Sequence, residues 1–465
     1  SETMKQKARD SRPAVSPARA AAFDILLRVE RESSYASEHL HSRTYARLTT
    51  VDHSLTTELV MGVLRWRSLL DSQIAASSDQ PLSKLDLEVL TALRLAVYQL
   101  RWLSRIPARA AINESVELVK RARKRSAAPF VNAVLRKLEN ISHVDNSLQP
   151  EISDASTETL AASSAHPLWL VKRWVQAYGI DSAFRICRYD QSVPVTAIRL
   201  RRPEAEEQIK AEGIELVPGA FLASARRVQH GDVTRTAAFR AGLCVIQDEA
   251  SQLVAALVGR GAHILDCCAA PGGKTLAIAD RNPKANISAV DLHPHRARLL
   301  RRMLSAPDSQ TEVESRNIHI VAADARDLPF TTRFERVLAD VPCSGTGTLA
   351  RNPEIKWRLT PQDLTDLQAR QLAILRSAMG QVAPEGRLIY STCSLEKEEN
   401  EEVIDRLSED SSFRVVDCGA ELGQLREKGE LIWPDPASLA RGPYLRTLPG
   451  VHPCDGFFAA ILEKL

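Results

Sequence analysis

Between Ile264 and Thr275 the chain runs Ile-Leu-Asp-Cys-Cys-Ala-Ala-Pro-Gly-Gly-Lys-Thr, and few folds accommodate such a run. An apolar segment ending at Asp266, a turn of small residues with paired Gly272 and Gly273, and then Leu276-Ala277-Ile278-Ala279 predict a strand feeding a helix. Glycines there let backbone approach a ligand closely, and the helix behind them presents unsatisfied N–H groups. A phosphate-cradling loop would need glycine five residues before Gly273, where Cys268 stands. The dinucleotide pattern G-x-G-x-x-G is also absent, so neither a nucleoside triphosphate nor a nicotinamide dinucleotide is favoured.

Three further apolar runs close on an acid: Ile287 to Asp291, Ile318 to Asp324 and Val337 to Asp340. A fifth, Leu388 to Thr392, closes on Cys393. Short continuous apolar runs separated by helical patterns predict buried parallel strands, and in such sheets ligands sit at the carboxyl ends of the strands. Four acids and a thiol therefore gather along one edge. Asp291 lies 18 residues beyond Gly273, where an acid ending the second strand hydrogen-bonds ribose hydroxyls. A nucleoside-bearing cofactor fits best.

Cysteine recurs at two of these strand ends, in Asp340-Val341-Pro342-Cys343 and Thr392-Cys393-Ser394. A free cysteine is most often a small buried hydrophobe. Two at strand ends beside a nucleoside pocket favour chemistry. C5 of a pyrimidine is a poor nucleophile until something adds to C6, and a thiolate adds and later leaves well. Asp340 is placed to hydrogen-bond the pyrimidine edge near N3 and to stabilise charge moving there. Amino-group methylation favours an aromatic residue where Cys343 stands, so carbon is the expected acceptor. Chemistry alone leaves the two cysteines interchangeable.

The blocks Asp266 to Thr275, Asp340-Val341-Pro342-Cys343-Ser344-Gly345-Thr346-Gly347 and Tyr390-Ser391-Thr392-Cys393-Ser394-Leu395 resemble the signatures of RNA cytosine-5 methyltransferases of the Nop/Sun type. Arg351 to Arg358 and Gln247-Asp248-Glu249-Ala250-Ser251 match as well. The resemblance spans about 245 to 465. It implies S-adenosylmethionine contacts from Cys268, Ala269, Ala270, Pro271, Gly272, Gly273 and Lys274, and from Asp291, Asp324 and Asp340. It also implies that Cys393 is the nucleophile and that Cys343 assists release of the methylated RNA. Asp340 and Lys274 complete the expected catalytic set.

The chain has 465 residues, 44% hydrophobic and 26% charged, enough for two or three domains with cores of their own. No run of eighteen apolar residues and no signal-peptide pattern occurs. The opening Ser1 to Asp10 is polar and expected to fray, with the residues before Met4 a cloning remnant. Eight cysteines without CxxC pairs fit neither a zinc site nor a disulfide scaffold and point to a reducing cytoplasm; no metal is expected.

Charge is unevenly spread. Residues 1–150 carry 23 Lys and Arg against 16 Asp and Glu, the remainder 38 against 42. A basic first part beside a near-neutral second one suits an anionic polymer. Apolar residues at helical spacing over Pro17 to Val29, Leu55 to Leu70, Leu85 to Leu103, Ala111 to Lys120 and Phe130 to Leu138 predict a helical bundle. Arg105 to Val119 and Phe130 to Arg136 resemble the NusB family, which implies an RNA-binding domain over about 15–140, with Lys120 to Arg125 either a solvated face or an RNA contact.

A Ser/Thr/Asp/Glu-rich stretch over 141–165 is expected to be a linker. Residues 166–244 predict a small α+β module, its Trp169 and Trp174 in a core and its Val195 to Arg202 a strand with one basic face, the module either lining an RNA channel or a packing extension whose arginines are incidental. Residues 245–465 form the expected Rossmann-like α/β methyltransferase domain. Within it Ser305 to Ser315 looks like a polar insertion, Glu396 to Glu402 opens a helix as capping acids, Cys454 is structural, and the chain closes on a strand at Phe457 to Leu462.

A NusB-like domain ahead of this catalytic domain is similar to the branch of the family acting on C5 of a cytosine in 16S rRNA. The implied partner is 16S rRNA, free or in an early assembly particle, bound by a cytoplasmic monomer with no membrane contact. Two rivals stand beside it: a methyltransferase of tRNA or 23S rRNA, and a non-catalytic RNA-binding assembly factor.

Overall fold

The computed structural model describes residues 15–139, 156–304, 317–407 and 412–465. The polar start, positions 141–155 of the expected linker and the insertion at 305–315 lie outside them. The chain divides into two compact units, Ser1–Ser192 with Leu349–Arg358, and Val193–Thr348 with Leu359–Leu465.

The first unit is helical. Helices α1 (Pro17–Glu32), α2 (Thr50–Ser77), α3 (Leu87–Trp102), α4 (Ala108–Arg121) and α5 (Ala128–Leu138) follow the five periodic segments, four of them running longer and α3 slightly shorter than expected. Their starts obey local chemistry: Pro17 occupies the first turn of α1, and the Thr49 hydroxyl accepts from the Asp52 amide to cap α2. Ile25, Leu59, Leu70, Ile74, Leu93, Leu95 and Ile112 are fully buried and form the core. Arg19 crosses that core, donating to Gln99 Oε1 at 2.6 Å and to Glu114 Oε1 at 3.0 Å, which ties α1 to α3 and α4. Of the basic run, Lys120, Arg121 and Lys124 pair with Glu117, Asp24 and Asp86 of the same unit, and Arg123 and Arg125 are exposed.

Within the expected linker lies a helix at Thr157–Ser163, capped by Ser156. Helices α6 (Leu168–Tyr178) and α7 (Ile180–Asp190) follow in the same unit, and Trp174 is buried in it. Within the expected module 166–244, the part to Ser192 with α6 and α7 groups with the first unit, and the part from Val193, with four strands and short helices at Ala205–Ala211 and Ala237–Arg240, groups with the second.

Residues 349–358 also belong to the helical unit. Lys356 Nζ donates to the Arg65 carbonyl at 3.0 Å, Trp357 Nε1 to the Leu64 carbonyl, and Glu354 accepts from the Ala36 amide at 3.0 Å. Lys356 is 1% exposed, and burial pulls its pKa down to about 7, the nearby Asp190 carboxylate offsetting only part of that cost. Between pH 7 and 10.5 the unfolded chain then holds a proton that the folded chain has lost, so stability contributed here rises with pH and is lowest below pH 7. The stability of the wild type relative to Lys356→Met is expected to climb over that range, by on the order of 4 kcal/mol at most. Calorimetry of both proteins from pH 6 to 9.5 checks this; a pH-independent difference would contradict it.

The second unit begins with an antiparallel sheet of strands β1 (Thr196–Leu200), β2 (Glu215–Pro218), β3 (Ala225–His230) and β4 (Cys244–Ile246), in the order β2-β3-β1-β4. The basic face expected on β1 is not free. Arg199 is buried and pairs with Asp280 at 2.7 Å, and Arg201 meets the same carboxylate at 3.0 Å. These two arginines fasten the small sheet to a helix of the same unit, which removes the basis for assigning them to an RNA channel.

The main sheet holds β5 (His263–Asp266), β6 (Asn286–Asp291), β7 (Ile318–Ala322), β8 (Phe334–Asp340), β9 (Val382–Thr392), β10 (Phe413–Val416), β11 (Ala440–Arg441), β12 (Tyr444–Thr447) and β13 (Phe457–Lys464). Its order is β11-β12-β13-β9-β8-β5-β6-β7, with β10 pairing β13. Strands β5 to β9 run parallel, and β13 is antiparallel to β9. Successive residues serve opposite faces. Ile264, Leu338 and Ile389 pack with α8 (Glu249–Leu257) and α9 (Gly273–Arg281), while Leu265, Val337 and Leu388 pack with α11 (Pro361–Met379); α10 (Pro294–Leu304) follows β6. Helices on both faces explain why these strands read as unbroken apolar runs. No helix among the described residues is long and apolar enough to cross a membrane.

Candidate active site

The turn after β5 is held across its neighbours by Cys267 N to Leu338 O and Ala269 N to Val290 O, both 2.8 Å. Gly272 has φ +116°, a conformation that residues with a side chain rarely adopt, and a Cβ there would press on the Leu300 side chain at 2.8 Å. Helix α9 starts at the next residue and its first-turn amides face the turn. Beneath it, Thr275 Oγ1 donates to Asp266 Oδ2 at 2.7 Å, and burial pushes the Asp266 carboxyl up to about 7.

Asp291 ends β6, is 4% exposed, accepts from the His293 amide at 3.1 Å and lies 3.5 Å from the Arg296 guanidinium. Arg296 also donates to the Ala270 carbonyl at 3.0 Å, linking that acid to the turn. Asp324 stands just beyond β7, partly exposed, gripped by the amide and guanidinium of Arg326, which hold its carboxyl below the usual range.

Asp340 ends β8. Its Oδ2 is 2.8 Å from Lys274 Nζ, and its Oδ1 accepts from Ser391 Oγ at 2.7 Å. Burial works against the Lys274 ammonium, but the Asp340 carboxylate with Cys393 and Asp266 outweighs it, and the lysine pKa is raised. The Lys274 ammonium also sits 5.0 Å from the centroid of the Phe457 ring. Three residues past Asp340, Cys343 Sγ lies 3.3 Å from Cys393 Sγ. Hydrogen bonding to Cys393 first, then burial, pushes the Cys343 thiol well above its ordinary value.

The fold thus brings Lys274, Asp340, Cys343 and Cys393 into one cluster at the carboxyl ends of β8 and β9. The turn Cys268 to Lys274 and Asp291 lie along the same edge over β5 and β6, with Asp324 beyond β7. Ser391 and Phe457 went unnoticed in the sequence; register could have found Ser391, since it pairs directly with Asp340. As expected, the acids Glu396 to Glu402 stand at helix starts, in the first turns of a 3₁₀ helix at Lys397–Glu399 and of a helix at Glu401–Asp405, but Glu396 and Glu399 are buried, at 1% and 0% exposure. Cys454 is buried as expected.

A family model described as 16S rRNA methyltransferase RsmB/F matches residues 257–463, and the NusB family model matches 16–140. The chain is 34% identical to the probable ribosomal RNA small subunit methyltransferase B of Bacillus subtilis, over 95% of this chain and 98% of that protein. It is 31% identical to ribosomal RNA small subunit methyltransferase B of Vibrio cholerae, over 89% and 90%. Among solved structures, PH0851 superposes with a TM-score of 0.77 at 24% identity over 98% and 99% of the two chains, and NSun6 from Pyrococcus horikoshii with 0.54 at 19% over 65% and 99%; both likenesses concern the fold. The chain belongs to the RsmB/F family of 16S rRNA methyltransferases and carries a NusB-family domain ahead of its catalytic domain.

Proposed function

We propose that this rRNA methyltransferase transfers a methyl group from S-adenosylmethionine to C5 of a cytosine in 16S rRNA through a covalent bond between Cys393 and C6. The observation that carries the reading is the pair of thiols 3.3 Å apart at neighbouring strand ends, beside the Lys274–Asp340 ion pair.

The turn after β5 fits the donor: the left-handed Gly272 bends the chain sharply into α9, α9 offers its amides, and the buried Asp291 carboxylate suits ribose hydroxyls. Residues Cys268 to Lys274 with Asp291, Asp324 and Asp340 would hold it. When bound, S-adenosylmethionine supplies an electrophilic sulfonium methyl.

The protein side of the reaction follows from the cluster. Cys393 as thiolate adds its sulfur electron pair to C6, which moves electron density to C5 and towards N3. Asp340, its carboxylate fixed by Lys274 and Ser391, accepts from the cytosine amino group and so holds the pyrimidine edge, while the Lys274 ammonium beside it offsets the charge that collects near N3. After C5 has accepted the methyl, a base takes the C5 proton, the electrons re-form the C5–C6 double bond and the Cys393–C6 bond breaks. Cys343, kept as a thiol, is placed to return a proton to the departing Cys393 sulfur and so release the RNA.

Purified protein incubated with labelled S-adenosylmethionine and 16S rRNA, 23S rRNA or tRNA, followed by mass mapping, tests this. Label on C5 of a 16S cytosine is expected. Label in another RNA, on a nitrogen, or in none would overturn it.

A further inference from the structure

We propose that Glu399 is a positioning residue whose buried carboxylate sets the separation of the two thiols; this rests on reading Cys343 and Cys393 as the working pair. Each cysteine sits on its own loop, one after β8 and one after β9, 50 positions apart in sequence. The pairing of β8 with β9 brings the two loops side by side, with Val341 N donating to the Ser391 carbonyl at 3.0 Å and Gly347 N to the Cys393 carbonyl at 2.9 Å, and side-chain contacts set their course beyond that. The residue after each cysteine is a serine, and both serines converge on one carboxylate. Ser344 donates its amide to Glu399 Oε1 at 2.8 Å and its hydroxyl to Oε2, while the Ser394 hydroxyl donates to the same Oε2. The two hydroxyls lie 3.1 Å apart.

The carboxylate is itself anchored. Gln371 Nε2 on α11 donates to Glu399 Oε1 at 2.9 Å and to the Pro342 carbonyl at 3.0 Å, so one amide holds both the acid and the residue before Cys343. Tyr390 Oη donates to the Glu399 carbonyl at 2.6 Å, pinning its backbone to β9. Asn400 and Arg446 donate to the Ser394 carbonyl at 2.8 and 2.9 Å, closing the loop from the other side. Glu399 is 0% exposed. An ionised carboxylate offers about four acceptor sites, and four donors meet it here; a glutamine would supply a single acceptor oxygen. Burying a charge is expensive unless its lone pairs are satisfied, so this site suits a carboxylate that holds four donors in a fixed arrangement.

The test reads sulfur geometry and turnover separately. Diamide oxidises two neighbouring thiols to a disulfide, taking up two electrons and two protons as it becomes the hydrazine, and needs no RNA or methyl donor. Mass spectrometry of the full-length protein gives the rate of Cys343–Cys393 linkage. Glu399→Ala is expected to slow that linkage at least tenfold and to lower kcat roughly 100-fold, the scale of a displacement of about 1 Å, with KM for RNA within threefold. Glu399→Gln, which keeps length and part of the bonding, is expected to recover an intermediate linkage rate and kcat. Ser394→Ala, a milder change, should slow linkage about threefold while leaving the melting temperature near wild type. Unchanged linkage in Glu399→Ala and Ser394→Ala, or a loss of RNA affinity without loss of linkage, would overturn the positioning role. Slowed linkage in a protein whose wild type methylates something other than cytosine C5 would leave Glu399 as positioner and remove the proposed reaction instead.

Discussion

Cys393→Ala is expected to abolish turnover, by roughly 10⁴-fold or more, and to form no covalent RNA adduct. Cys343→Ala is expected to accumulate one, visible as an RNA–protein band that survives denaturation and vanishes on nuclease treatment. The difference follows from the site. The two thiols are 3.3 Å apart, and the Cys343 thiol is pushed up by its hydrogen bond to Cys393 and by burial. A cysteine held as thiol is a poor nucleophile, and it keeps a proton within reach of the sulfur beside it. Negative charge on Cys393, not on Cys343, is among the causes that keep the Lys274 ammonium protonated. Without Cys343, addition and methyl transfer proceed while the last bond breaks slowly, so the adduct persists. An adduct in Cys393→Ala and none in Cys343→Ala would reverse the two roles.

Much of this site was legible because the physics that makes it is local. Strands buried on both faces must be apolar throughout, so β5, β6, β8 and β9 announced themselves as runs closing on Asp266, Asp291, Asp340 and Cys393. The turn at Gly272 was legible for the same reason: its φ of +116° is a property of one residue and its neighbours. What escaped depended on partners far away in the chain. An alternation of apolar and basic residues around Arg199 and Arg201 reads as a positive surface until Asp280, some eighty residues on, is found between them. Glu399 sits in a run of acids that composition assigns to solvent, yet Ser344, Gln371 and Ser394 enclose it. The segment 349–358 lies between catalytic blocks in sequence, but its lysine and tryptophan bond to carbonyls of α2 nearly three hundred residues earlier. No periodicity reports such pairings.

The electrostatic half of the site leads to the second large effect. Asp340→Asn is expected to lower kcat by roughly 10²- to 10³-fold, the scale for loss of one group stabilising transition-state charge, with a smaller change in KM. Two losses combine. The amide no longer presents a carboxylate to the pyrimidine edge, and Lys274 loses the partner 2.8 Å away that raises its pKa. Burial then acts on the lysine with less opposition and favours its neutral form. Because a neutral amine cannot support negative charge on Cys393, activity in the variant is expected to fail at lower pH than in the wild type as the medium is made alkaline. A kcat/KM profile from pH 6.5 to 10 separates the contributions: a uniform drop at every pH implicates only the lost substrate contact, whereas an alkaline limb shifted to lower pH shows that Asp340 also keeps Lys274 charged. A loss smaller than tenfold at every pH would remove Asp340 from the reaction.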